Sequence, residues 1–189
     1  MNTNEITHSK RVILRPIGEQ DREALFYYRN LAEVALFQDW APKSPQEVSD
    51  YAQEMAGREP FASGEWYQIA IVEKANGRTI GDLAVCIDKE TKQTAELGIA
   101  LDPNYQKKGF AKESVKAMCN YLFSQKNIHR LHVSIDPRNE ASVGLFSSVG
   151  LRKEGIHIES YFSEEEWCDD LVMAILEREW TYNSDQPQI

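Results

Sequence analysis

The chain has little of what a metalloprotein, a disulfide-stapled domain or a membrane protein requires. Its 189 residues include three cysteines and four histidines. Cys86, Cys119 and Cys168 lack the paired spacing of a zinc site or a disulfide framework, which predicts a reducing, cytoplasmic setting. His8, His129, His132 and His157 are scattered, so no metal is expected, and His132 reads as an ordinary strand residue. No apolar run approaches the roughly 20 residues of a membrane helix, and the opening "MNTNEITHSK" has no apolar h-region. Positive charge is also short. Lys and Arg total 21 against 30 Asp and Glu, a formal net charge of -9, which argues against a nucleic-acid partner and suits a cationic one.

What is present is enough apolar material for a core, at 42% hydrophobic and 10% aromatic residues, and the expectation is one domain over residues 1–189. "RVILRPI" alternates Val12 and Leu14 against Ile13 and stops at Pro16, a first strand. "GEQDREALFYYRNLAEV" has helical spacing behind an acidic opening turn. In the next helix Ser44 is the expected N-cap, Pro45 the first helical residue and Gly57 the stop.

"WYQIAIVEK", "GRTIGDLAVCID" and "QTAELGIALD" form a meander, its first turn marked by Asn76-Gly77. "KGFAKESVKAMCNYLFSQ" puts Phe110, Val115, Met118 and Leu122 on one helical stripe. "HRLHVSID" follows as a strand, then a short helix capped by Asn139 and ended by Gly150. "IHIESYF" and "DDLVMAILEREW" close the sheet, Glu164 to Glu166 read as a solvated hairpin tip, and "NSDQPQI" reads as a frayed tail. The fold class is α+β: a mixed, mostly antiparallel sheet of about seven strands with about four helices.

The segment "DPNYQKKGFAKESV" carries the chemistry. Leu101 ends a strand, Asp102-Pro103 turns the chain, and a helix starts near Gly109, so the amides up to Ala111 lie at a helix N-terminus without intrahelical partners. With the helix dipole they make an anion site, Gly109 permits close approach, and Lys107, Lys108 and Lys112 add positive charge. The segment is neither a P-loop nor a dinucleotide fingerprint, since it lacks G-K-[ST] and G-x-G-x-x-G.

"QKKGFA" resembles the diphosphate loop, Arg/Gln-x-x-Gly-x-Gly/Ala, of the GNAT N-acetyltransferase superfamily. "NEASVGLFSSVGLRKEG" and "EWCDDLVMAILEREW" are similar to the helix and last strand of its ribosomal-protein alanine/serine N-acetyltransferase subgroup. The likeness runs from about Arg11 to Trp180 with landmarks in order, which is more specific than one glycine loop. It implies a splay between the fourth and fifth strands that takes acetyl-CoA as cosubstrate, and direct attack by a primary amine on the thioester. Protein N-termini, polyamines and small metabolites all fall within the implied acceptors.

The resemblance also implies site residues. Main chain of Ile99, Ala100 and Leu101 would pair with the pantetheine arm, and amides of Gln106, Lys107, Lys108, Gly109, Phe110 and Ala111 would hold the diphosphate. Asn139 and Ser142 would face the pantetheine and sulfur. Phe146 occupies the position where many members keep an acidic tyrosine, leaving Ser142 as the alternative acid. Glu96 is the general-base candidate, on condition that its strand face, shared with Gly98 and Ala100, looks toward the acceptor. Phe37 and Trp40 would wall the acceptor pocket. Phe146 also motivates a rival reading, a catalytically weak acyl-CoA-binding or regulatory module. A monomer or a homodimer through the terminal strands fits the sequence equally.

Overall fold

The computed structural model describes residues 5–38, 40–163 and 165–180. Thirteen regular elements follow in order: β1 (Thr7–His8), β2 (Val12–Pro16), α1 (Arg22–Arg29), α2 (Ala32–Ala35), α3 (Pro45–Gly57), β3 (Trp66–Glu73), β4 (Thr79–Ile87), β5 (Thr94–Leu101), α4 (Phe110–Gln125), β6 (Arg130–Ile135), α5 (Glu140–Val149), β7 (Arg152–Ser163) and β8 (Glu166–Leu176).

Local signals account for most boundaries. Ser44 Oγ accepts from the Glu47 amide at 3.2 Å with Pro45 opening α3, and Asn139 Oδ1 accepts from the Ser142 amide at 3.1 Å to start α5. Gly77, at φ 70°, turns β3 into β4, and Gly150, at φ 115°, ends α5.

Three boundaries depart from the pattern. The expected first long helix is cut into a 3-10 turn, α1 and α2, because Leu31 is extended (φ -70°, ψ 129°) and Asn30 Nδ2 donates to the carbonyls of Phe26 and Pro42. The last strand stops at Leu176; a 3-10 turn at Glu177–Glu179 then lays Trp180 on Phe123, with its indole N–H on Asn120 at 2.7 Å. An additional two-residue strand, β1, brings the sheet to eight. Glu164 and the tail from Asn183 lie outside the described residues.

The strand order is β1-β2-β3-β4-β5-β6-β8-β7, and every pairing is antiparallel except β5 with β6. That parallel pairing covers only Thr94–Glu96 against Arg130–His132. Beyond it the two strands separate, which leaves main-chain groups facing an opening in mid-sheet. One sheet face carries α4 and α5 over a core that includes Leu97, Val133, Met118, Leu122 and Phe146; the other carries α1 and α3 over Leu25, Tyr28, Met55, Ala70 and Ala100. Each fully buried side chain of the Met118 or Leu122 kind contributes roughly 1.5–3 kcal/mol. The opening is therefore held between two packed layers.

Candidate active site

A cleft of about 1110 Å³ follows the opening. Gly98, Ile99, Val133 and Ile135 line its strand edges, Asn139, Ser142 and Phe146 one wall, and Phe37, Trp40 and the β7–β8 hairpin the other.

Main-chain parity decides which groups face the gap. Asp88 N donates to Thr94 O and Asp102 N to Ile80 O, at 2.8 and 2.9 Å, so the even-numbered residues of β5 bond to β4. Ile99 and Leu101 thus turn their main chain to the opening. Ala100 does not: it is bonded opposite Asp82, and its methyl group packs in the α1–α3 core, so its assignment to the pantetheine arm is corrected.

At the α4 end, Gly109 is the N-cap at φ 83°, and the first helical hydrogen bond runs from Glu113 N to Gly109 O, leaving the amides of Phe110, Ala111 and Lys112 unclaimed by the helix. Lys107, Lys108 and Lys112 are exposed around them. Gln106 is a second correction. Its amide donates to Pro103 O and its side chain to Leu101 O, both at 3.1 Å, so it braces the loop instead of offering an amide to an anion. The Phe110 ring is buried, which leaves only its amide for the site.

Arg11 was not legible as a site residue. Its guanidinium donates to Lys108 O at 3.0 Å and to Glu113 at 2.6 Å, and stacks 4.3 Å from the centre of the Phe110 ring. Burial opposes ionisation of Glu113, but hydrogen bonds from Ser9 and Arg11 prevail and hold its carboxyl below the usual range. Arg11 thereby ties β2 to the loop and draws the Lys108 carbonyl away from the amide side.

The face of the cleft that carries Glu96 is built around Asp82, which sequence reasoning also missed. Asp82, 1% exposed, accepts hydrogen bonds from the Tyr28 hydroxyl, the Gln68 amide and the Arg29 guanidinium. Burial opposes the charge of Arg29, yet Asp82 outweighs it and raises the guanidinium further. Burial, then Asp82, push the Tyr28 phenol well up. Arg29 also donates to Trp40 O at 3.1 Å and lies 4.9 Å from the centre of the Trp40 ring, whose other neighbour is Tyr51 at 4.8 Å. The loop that carries Phe37 and Trp40 is fastened to the sheet through these contacts.

Glu96 shares its face with Asp82 and Ala100 and lines the cleft. Between Glu96 and Asp82 the floor is Ala84 and Gly98; a Cβ on Gly98 would meet only Ala84, at 3.9 Å. Ser142 lines the wall with its hydroxyl free of hydrogen bonds to described residues, whereas Phe146 is 2% exposed and belongs to the core as well as the cleft. On the far side β7 places four residue steps, His157 to Tyr161, against two on β8, and Glu159 N donates to Asp169 Oδ1 at 2.8 Å. This bulge turns Tyr161 to Asp136, 3.4 Å from its hydroxyl. Hydrogen bonding by Arg138 holds Asp136 below its usual range.

A sheet opened between its neighbouring strands β5 and β6, an anion cradle on one side and a carboxylate-lined cleft on the other define an acyl-CoA-dependent transferase fold. The Acetyltransferase (GNAT) domain family matches residues 11–152. The chain belongs to this family and is an N-acetyltransferase that uses acetyl-CoA. Among its relatives, the uncharacterized N-acetyltransferase YnaD of Bacillus subtilis is 37% identical over 89 residues, spanning 47% of this chain and 52% of that protein. The chain thus aligns with about half of that relative. Mycobacterium smegmatis RimJ in complex with CoA-disulfide superposes with a TM-score of 0.79 at 18% identity, over 92% of this chain and 86% of that one. Spermidine N-acetyltransferase of Vibrio cholerae in complex with CoA and spermine gives 0.76 at 20%, over 89% and 96%. Both show the shared fold. Among the described residues no helix is long and apolar enough to cross a membrane, and no cluster of three metal-ligating side chains occurs.

Proposed function

We propose that this enzyme acetylates a primary amine carrying a further positive charge, such as a polyamine or the N-terminus of a basic peptide, by direct attack in a ternary complex. The observation that carries the reading is the charge of the cleft: among the described residues, five carboxylates line it against two guanidiniums. Arg29 answers Asp82, and Arg138 is shared by Asp136 and Glu166. Among the described residues Glu96 and Asp170 have no Lys or Arg partner: Glu96 meets His132 at 3.7 Å, and Asp170 meets the Ser134 hydroxyl at 2.6 Å and His157 at 4.0 Å.

Acetyl-CoA, when bound, supplies the activated acetyl group. The residues present fit it: unclaimed amides at α4, a glycine with positive φ, cations around both, and outward main chain at Ile99 and Leu101. The Ile99 N–H faces the opening, where it can stabilise negative charge on the thioester oxygen. Asn139 and Ser142 stand on the sulfur side of the cleft. An alkyl amine with a pKa of about 10 is mostly protonated at neutral pH, so a base must take its proton. Glu96 has that place. The departing thiol, with a pKa of about 8.5, needs little help from an acid, which is compatible with Phe146 at the tyrosine position.

Incubation of the full chain with acetyl-CoA and a panel of polyamines, Ala- and Ser-led peptides and neutral-tailed amines tests this through released thiol. The expected result is turnover favouring dicationic acceptors, with Glu96→Gln lowering kcat by about 100-fold. No acceptor raising thiol release above hydrolysis would sink the reading.

A further inference from the structure

One contact on the acceptor face has chemistry without a role so far. His132 is the register partner of Glu96 in the last pair before β5 and β6 separate, so both side chains leave the same face. His132 Nε2 lies 3.7 Å from Glu96 Oε2. His132 Nδ1 is buried and has no hydrogen-bond partner among the described residues. A hydrogen on Nδ1 would be a stranded donor, rarer and costlier than an unfilled acceptor, so the ring hydrogen belongs on Nε2, facing Glu96. The separation is long for a hydrogen bond. Both side chains are part-exposed, however, at 27% and 33%, and catalytic hydrogen bonds often tighten only when substrate binds.

We propose that His132 is a positioning residue for Glu96, its Nε2–H turning the carboxylate toward the space above Gly98 where the acceptor amine loses its proton. The proposal rests on Glu96 as the general base. In the step, the ammonium gives one proton to a Glu96 oxygen while the other oxygen keeps the His132 hydrogen bond. The freed amine pair forms the C–N bond, the C–S bond breaks with its electron pair leaving on sulfur, and the second proton shed by the nitrogen passes to that thiolate, giving the amide and the CoA thiol. His132 keeps its own proton throughout.

Facing the pair are Cys86 on β4, opposite Glu96, whose thiol is pushed up by burial and then by Glu96, and Asp88, whose carboxyl is held below its usual range mainly by hydrogen bonds from Thr91, with His132 a smaller contributor. Arg130, two residues back on β6, is held by Glu154 at 2.6 Å, and β8 offers only Ala174 opposite His132.

The test is the pH dependence of kcat and KM with acetyl-CoA and spermidine, or the fastest amine of the panel, for His132→Ala, His132→Gln, Glu96→Gln and the Ala/Gln double variant. His132→Ala is expected to lower kcat about tenfold and to move the acid limb to higher pH, because a carboxylate stripped of a donor holds its proton to higher pH. His132→Gln, whose amide nitrogen can replace Nε2, is expected to restore most of both, with KM for acetyl-CoA unchanged. In the Glu96→Gln background, His132→Ala should have no further effect on kcat. An unmoved acid limb in His132→Ala, whether kcat is normal or falls together with Tm, overturns the proposal. Full activity in Glu96→Gln overturns the general-base reading and the positioning role together, whereas an inactive Glu96→Gln beside a normal His132→Ala overturns the positioning role alone.

Discussion

Asp82 illustrates how much one residue can organise. Its carboxylate lies in the interior and takes donors from α1 and β3, so its removal would leave Arg29, Tyr28 and Gln68 without their shared acceptor. Taking away one partner of a buried ion pair leaves an uncompensated charge, which costs about 3–5 kcal/mol, while replacing both partners by apolar groups is often neutral. Asp82→Ala is therefore expected to lose about that much stability in urea unfolding, and Asp82→Leu combined with Arg29→Met to regain most of it. The double variant should still raise KM for the amine, because Arg29 holds both the carbonyl and the ring of Trp40. A loss of under about 1 kcal/mol in Asp82→Ala would show that the pair is not the keystone of this face.

At the scale of elements, the strand-turn-helix unit from β5 into α4 was legible because its signals are local. A proline turn, a glycine and an amphipathic run lie within 14 residues, and the structure places α4 where they put it. The same holds for the caps of α3 and α5. Contacts that join distant chain segments were not legible. Glu96 meets His132 only through a parallel pairing across 36 residues, Arg11 reaches Glu113 across 102, and the β7 bulge depends on a side chain of β8. Strand parity gave the condition on Glu96 but not the face, and the resemblance grouped Ala100 with Ile99 and Leu101 because sequence alone does not show which neighbour claims each main-chain group.

Gly109 tests the unit itself. Its φ of 83° and the 3.2 Å from a built Cβ to Arg11 Nη2 mean that Gly109→Ala must strain the backbone, by about 1–2 kcal/mol, and press on the guanidinium that shapes the loop. The expected outcome is a KM for acetyl-CoA raised about tenfold with the amine KM little changed. Equal rises in both would mean that the substitution perturbs the whole cleft and not the cradle.

At the scale of the molecule, the formal charge of -9 is not shared evenly between the two ends of the cleft. Arg11, Lys107, Lys108 and Lys112 gather at the start of α4, the proposed cradle of an anionic cosubstrate, and carboxylates predominate among the described residues at the other end of the cleft, the proposed entry of the amine. For a cationic acceptor the local and the global fields attract alike, so screening can only weaken its approach. For acetyl-CoA they oppose each other, because the cradle attracts what the whole protein repels, and salt weakens both. Raising KCl from about 0.02 M to about 0.5 M, which shortens the screening length from about 20 Å to about 4 Å, is expected to raise KM for spermidine several-fold. The same change should move KM for acetyl-CoA less, and a neutral-tailed amine should respond less than spermidine. Steady-state titration of each substrate at saturating levels of the other separates the effects, and a spermidine KM that is flat or falls with salt would show that the cleft carboxylates do not select the acceptor by charge.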